Sequence, residues 1–397
     1  MPAVQRSAVA AALALSALLL TGCSGAGDGS GGDGRERGTE SAAGSGTGSG
    51  EGSGRATDDA APPDKGEVKV AGTLTEDLKS PWGLVALPGG DLLVSSRDEG
   101  TITRVDGRTG EKTRLGSVPG VAPGGEGGLM GLAISPDFGS DRMVYAYFTT
   151  ESDNRIARLL YDEKKPAGEQ LGAPDVVLRG IPKGTIHNGG RIAFGPDEML
   201  YAGTGETGDT SLAQDKESLG GKILRMTPDG RPAPGNPDAD SPVYSYGHRN
   251  VQGLAWDSEQ RLWAAEFGQN RWDELNLIKP DGNYGWPEVE GRGEGDDAST
   301  YVNPVAQWTT DEASPSGIAW AEGSIWMAGL RGERLWRIPL DGTKASAEPQ
   351  AFLNGKHGRL RTVVAAGGAK LWLVTSETDT RGTPEKGDDK VLRLEVK

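Results

Sequence analysis

The chain has 397 residues, room for one large domain or two ordinary ones; only 35% are hydrophobic, while 63 are Gly. Its formal net charge of −15 makes nucleic acid and anionic membrane surfaces poor electrostatic partners. One Cys and three His exclude a disulfide framework, a multi-cysteine metal centre and a histidine-rich metal cluster, and the Gly and Pro content argues against an all-helical fold.

In chain order, Arg6 precedes an uncharged apolar run, Ala8 to Leu20, shorter than the ~20 residues that span a bilayer. The run ends in Leu20-Thr21-Gly22-Cys23, which resembles a bacterial lipoprotein cleavage site. Residues 1–22 are then a removed signal peptide, and Cys23 carries lipid. The alternative is an ordinary secretory signal with an incidental cysteine. From Ser24 to Gly66 there is no Val, Ile, Leu, Phe, Tyr or Trp. Such a Gly/Ser-rich stretch cannot bury enough apolar surface to order itself, so residues 23–66 are expected to be a disordered tether. Residues 67–397 are left as the folded part, working outside the cytoplasm.

Beyond Glu67 a loose unit recurs every ~45–65 residues, the scale of a propeller blade with insertions. Copies open at Pro81-Trp82-Gly83-Leu84, Leu129-Met130-Gly131-Leu132, Gly189-Gly190-Arg191-Ile192, Val251-Gln252-Gly253-Leu254, Pro315-Ser316-Gly317-Ile318 and Leu360-Arg361-Thr362-Val363. Each is followed by a second apolar strand, such as Leu262-Trp263-Ala264-Ala265 or Leu371-Trp372-Leu373-Val374. Third strands are legible in four copies, among them Lys222-Ile223-Leu224-Arg225 and Arg334-Leu335-Trp336-Arg337. Turns such as Pro228-Asp229-Gly230 separate them. The pattern predicts an all-β, six-bladed β-propeller, with a strand at Glu67–Ala71 pairing with the last blade to close the ring.

Three segments exceed what blade packing asks for. In Ile186-His187-Asn188-Gly189-Gly190-Arg191, His187 immediately precedes an inner strand and is expected to face the axis, either as a proton acceptor near neutral pH or as a structural histidine. In Gly247-His248-Arg249-Asn250, Arg249 and Asn250 can present a cation and an amide to an anion. Gly268 and Gln269 stand where the following strand ends in an irregular turn, with carbonyls for a hard cation or for water. Finally, Arg331, Arg359 and Arg361 are basic residues in an acidic chain, and Arg359 and Arg361 share one strand face. They suit a polycarboxylate ligand or a solvated edge. Asp273-Glu274 with Asn283-Tyr284-Gly285-Trp286 offers either a second oxygen-ligand site or charges that merely solvate a blade edge. Gly125-Glu126-Gly127-Gly128 opens a strand rather than a helix, which disfavours nucleotide binding.

Taken together, Gly125-Glu126-Gly127-Gly128-Leu129-Met130-Gly131, His187 with Phe194-Gly195-Pro196-Asp197, Gly247-His248-Arg249-Asn250-Val251-Gln252-Gly253, Asn283-Tyr284-Gly285-Trp286-Pro287 and Arg359-Leu360-Arg361 resemble the soluble glucose/sorbosone dehydrogenases. These are quinoproteins using pyrroloquinoline quinone (PQQ) and calcium, and the likeness is strongest to the aldose sugar dehydrogenase branch. The resemblance implies oxidation of aldoses at C1 to lactones, His187 as general base and Arg249 and Asn250 at the quinone oxygens. It implies Arg331, Arg359 and Arg361 on the cofactor carboxylates, and carbonyls of Gly268 and Gln269 on a calcium ion. Glu126 and Glu206 fall where polar cofactor- or base-contacting residues stand, and Glu274 with the Tyr284 carbonyl matches a structural calcium site. Trp308 is put forward to stack on the quinone. Glucose-specific members have Gln at Glu126, Asp at Glu206, Pro at Gln269 and Lys at Arg331. The implied partners are an aldose and an external electron acceptor, with a monomeric state. The competing readings are a calcium-dependent propeller lactonase and a non-catalytic ligand-binding propeller.

Overall fold

The computed structural model describes residues 62–397. The export segment, Cys23 and most of the tether lie outside the described residues. Six antiparallel sheets follow one another along the chain as the blades of a propeller. Their inner strands are Pro81–Ala86, Leu129–Ile134, Ile192–Phe194, Val251–Trp256, Pro315–Ala321 and Leu360–Ala365. These are the six repeat openings of the sequence.

The repeated Gly of those openings has a packing cause. A Cβ on Gly83 would lie 2.5 Å from the carbonyl of Met130, one on Gly131 2.1 Å from that of Gly190, and one on Gly253 2.4 Å from that of Ser316. Neighbouring inner strands approach so closely around the axis that only hydrogen fits. The second strands supply the inter-blade core; Trp263, Trp326, Tyr147 and Leu93 are fully buried. Each such side chain contributes about 2–3 kcal/mol of apolar burial.

The ring closes as expected, with a longer strand than Glu67–Ala71. Val68–Thr75 forms the outer edge of the sixth sheet, antiparallel to Val391–Val396, with Val68 opposite Val396. Fourth strands such as Lys112–Ser117 and Asp175–Ile181 lie at the blade rims. These two strands are mostly exposed or half-buried, with few buried residues, so they carry little apolar signal.

Candidate active site

An inner strand begins, and its antiparallel neighbour ends, at the same face of the ring. Residues just before the first and just after the second therefore converge, whatever their separation in sequence. There they line a cavity of about 420 Å³ that includes Glu126, His187, Arg249, Asn250, Gly268, Gln269, Arg331, Arg359 and Arg361. Most of the expected site residues are thus brought together, and Glu206 lies directly behind His187.

His187 has φ +52°, and its carbonyl lies 2.0 Å from where a Cβ on Gly205 would stand, so a glycine is required there. Its Nδ1 is 2.6 Å from Oε1 of Glu206, which is 1% exposed. The other Glu206 oxygen accepts the Gly208 amide. With a carboxylate on Nδ1 that nitrogen carries the hydrogen, leaving Nε2 as an acceptor; no described hydrogen bond occupies it. The His187 backbone amide donates to Glu126 Oε2 at 2.9 Å, while Glu126 Oε1 is held by Arg381 at 2.7 Å. Both Glu126 oxygens are therefore engaged by the protein, and the carboxylate is neutralised by a residue from the last blade.

Arg249 is held at its amide by Glu266, and Glu206 donates its own amide to the Arg249 carbonyl at 2.9 Å. Burial lowers its pKa, and its Nε has no partner. Asn250 Oδ1 accepts the Gly189 amide at 2.9 Å, which leaves its Nδ2 donor toward the cavity. Arg359 and Arg361 converge on one oxygen of Asp379, at 3.1 and 2.7 Å, and Arg97 donates to the Asp379 carbonyl at 3.2 Å. Burial lowers Arg361 to about 10 even with Asp379 opposing it. Burial also raises Asp379, but Arg361 and Arg359 outweigh it and bring its carboxyl down to about 2. Arg331 stands on the rim, paired with Asp311 at 2.6 Å.

The turn after the fourth blade's second strand wraps a carboxylate. Amides of Gln269, Asn270, Arg271 and Trp272 all donate to one oxygen of Glu290, at 2.6 to 3.2 Å. Gly268 donates to Asp273 at 2.8 Å. With the amides turned that way, the carbonyls of Gly268 and Gln269 receive no described hydrogen bond, as the sequence suggested. Burial pushes Asp273, which also lines the cavity, up to about 7.

Glu274 and Tyr284 lie apart from this cavity. Glu274 faces Glu266 across the fourth blade; burial and Glu266 push its carboxyl up. It accepts from Asn276 Nδ2 and the Gly291 amide at 2.9 and 2.8 Å, and the buried Oδ1 of Asn276 has no partner. Trp308 packs against Trp336 at 5.5 Å, inside the hydrophobic core, and does not line the cavity. Its place on a rim strand rules out the stacking role suggested for it.

Sequence reasoning missed Arg97, Trp82, Gln252, Asp379 and Arg381 in the lining. Position was the usable signal: Arg97 directly follows a second strand, and Asp379 and Arg381 follow the last one. Trp82, Gln252 and Arg361 are equivalent positions of the repeat.

The model of the family described as "Glucose / Sorbosone dehydrogenase" matches residues 78–383. The chain belongs to the glucose/sorbosone dehydrogenase family. This is a family of oxidoreductases, and similar solved structures include the PQQ-bound form of aldose sugar dehydrogenase from Streptomyces coelicolor. It is 75% identical at a TM-score of 0.84, over 85% of this chain and 100% of that one. Aldose sugar dehydrogenase YliI of Escherichia coli is 26% identical, over 77% of this chain and 89% of its own. Quinoprotein glucose dehydrogenase B of Acinetobacter calcoaceticus is 29% identical, over 63% of this chain and 59% of its own.

Proposed function

We propose that this glucose/sorbosone dehydrogenase oxidises aldoses at C1 to lactones with PQQ and calcium, passing electrons to an external acceptor. We place it outside the cytoplasm as a monomer tethered through lipid on Cys23. The observation that carries the reading is one cavity holding both a carboxylate-backed imidazole and a guanidinium cluster, His187–Glu206 beside Arg97, Arg249, Arg359 and Arg361.

The residues present fit a tricarboxylic quinone and a hard cation. Asp379 supplies one carboxylate for Arg359 and Arg361 together, and the buried Nε atoms of Arg249 and Arg359 have no partner. An anionic ligand offsets that surplus. Gly268 and Gln269 would hold a calcium ion through their carbonyls, and Glu274, the Tyr284 carbonyl and the orphaned Asn276 Oδ1 suit a second one. When bound, PQQ supplies an electron-pair acceptor and calcium the charge that polarises it.

The chain's own residues do the rest. His187 Nε2 takes the proton of the C1 hydroxyl. Glu206 fixes the ring's tautomer and stabilises the imidazolium that forms, the role a buried carboxylate plays behind a catalytic histidine. Arg249 places positive charge where negative charge develops, and the Asn250 Nδ2 donor orients the same edge. Arg359, Arg361 and Arg331, from the last two blades, bind carboxylates. A lactonase built around acidic ligands on the axis finds less support, because Arg361, Gln252 and Trp82 line the cavity from the inner strands.

The test is to titrate PQQ into the protein with calcium, following its absorbance, and then to add aldose and an artificial electron acceptor. The expected result is one PQQ bound per chain and aldose-dependent reduction of the acceptor. No binding at micromolar PQQ, or ester hydrolysis without PQQ, overturns the reading.

A further inference from the structure

Arg191, on the third blade, reaches across the axis of the ring to the fourth and sixth blades. Where four blades have Gly83, Gly131, Gly253 and Gly317, each too close to its neighbour for a Cβ, and the sixth has Thr362, the third blade has Arg191. Its guanidinium reaches over the channel. Nε donates to the Gln252 carbonyl at 2.7 Å, and Nη2 donates to Thr362 Oγ1 of the sixth blade at 3.0 Å. The group lies 4.4 Å from the centre of the Trp82 ring. Arg191 is 8% exposed, no described carboxylate lies within ion-pair distance of it, and no described hydrogen bond takes up Nη1. Burial, and then the nearby Arg361, push its pKa down to about 9. A buried cation without a counter-ion is costly and calls for one.

At the far ends of the six inner strands lies a second cavity of about 420 Å³. Arg191 lines this cavity and not the one that holds His187. Every other residue lining it is apolar or glycine, with half-buried Ile134, Phe194, Trp256 and Trp320 forming much of its wall. Its volume is within the ~300–1,000 Å³ of small-ligand pockets.

We propose that this second mouth binds a single-chain amphipathic carboxylate of the fatty-acid type, with its headgroup on Arg191 and its tail against Phe194, Trp256 and Trp320. Each part of the site excludes a simpler occupant. A neutral apolar solute leaves the guanidinium unpaired, and a small anion leaves the aromatic wall in water. A carboxylate meets the guanidinium with charge-assisted hydrogen bonds, and each methylene buried against the wall adds about fourfold in affinity. The inference does not depend on the dehydrogenase reading, since none of these residues lines the other cavity.

The test is calorimetric titration of the full chain carrying Cys23→Ala, so that neither lipid nor detergent competes. Decanoate (below its micelle concentration), decanol and butyrate are compared. One decanoate is expected per chain, with decanol and butyrate each at least about tenfold weaker. Arg191→Met should reduce decanoate to the level of decanol. Should that variant not fold, Phe194→Ser, at the half-buried wall, is expected to weaken decanoate about tenfold while PQQ binding is unchanged. Decanol binding as tightly as decanoate would show an apolar cavity alone. Butyrate binding equally, or decanoate insensitive to Phe194→Ser, would place the anion on the arginines near His187. Any of these results, or no decanoate binding in the submillimolar range, overturns the proposal.

Discussion

Two histidine–glutamate pairs flank Arg249, and they are built alike. His187 Nδ1 lies 2.6 Å from Glu206 and His248 Nδ1 2.7 Å from Glu266. They differ in the second ring nitrogen. His187 Nε2 is left toward the cavity, whereas His248 Nε2 is bonded to Ser245 at 2.8 Å, its ring stacks on Tyr284 at 4.5 Å, and the residue is 0% exposed. The sealed pair even has the Ser–His–carboxylate composition of a hydrolase, yet nothing can reach it. A histidine and a buried carboxylate do not make a base; an open nitrogen facing the reacting bond does. The closed pair instead anchors the Arg249 amide through Glu266.

The difference is broken most severely from the closed side. His248→Ala strips partners from Glu266 and Ser245 at once, and is expected to cost about 3–5 kcal/mol in denaturant unfolding. The turnover of whatever protein folds should fall far less than its yield. Glu206→Gln sharpens the contrast from the open side. It should lower kcat about 10- to 100-fold with PQQ titration unchanged, because the ring keeps its place but loses the charge that stabilises an imidazolium.

A third carboxylate extends the comparison from histidine to arginine. Asp379, held down to about 2 by Arg361 and Arg359 against burial, has a folded pKa below its ordinary one. It therefore stabilises the fold above pH ~4, and that contribution is lost as pH falls from ~4 through ~2. Asp379→Asn should cost about 2 kcal/mol at pH 7, with the gap to wild type closing near pH 2, as unfolding curves across pH would show. The smallest effect is expected at Arg381, a mostly exposed residue acting on His187 only through Glu126. Arg381→Ala should change kcat by about two- to fivefold and diminish further in high salt, as for exposed ion pairs.

Much of the ring could be read from the chain, because inner strands must carry Gly where backbones nearly touch and second strands must be apolar on both faces. Rim strands such as Asp175–Ile181 escaped, since half-solvated strands have no such requirement. Within the site, His187, Arg249 and Arg359 were legible from their place before inner strands, and Arg361 from its place at the start of one. Asp379 and Arg381 were not, because they sit in a loop after the last blade's second strand, where only the ring's closure brings them to His187. Glu126 was legible as a polar site residue, but its partner was not. Its two oxygens serve the His187 amide and a residue 255 positions away.

The most direct measurement is single-turnover reduction of bound PQQ after rapid mixing with aldose, for wild type and His187→Ala. With calcium present and PQQ bound equally in both, the open nitrogen of His187 should account for a loss of at least about 100-fold in the reduction rate. Equal rates in the two proteins would contradict a base at position 187.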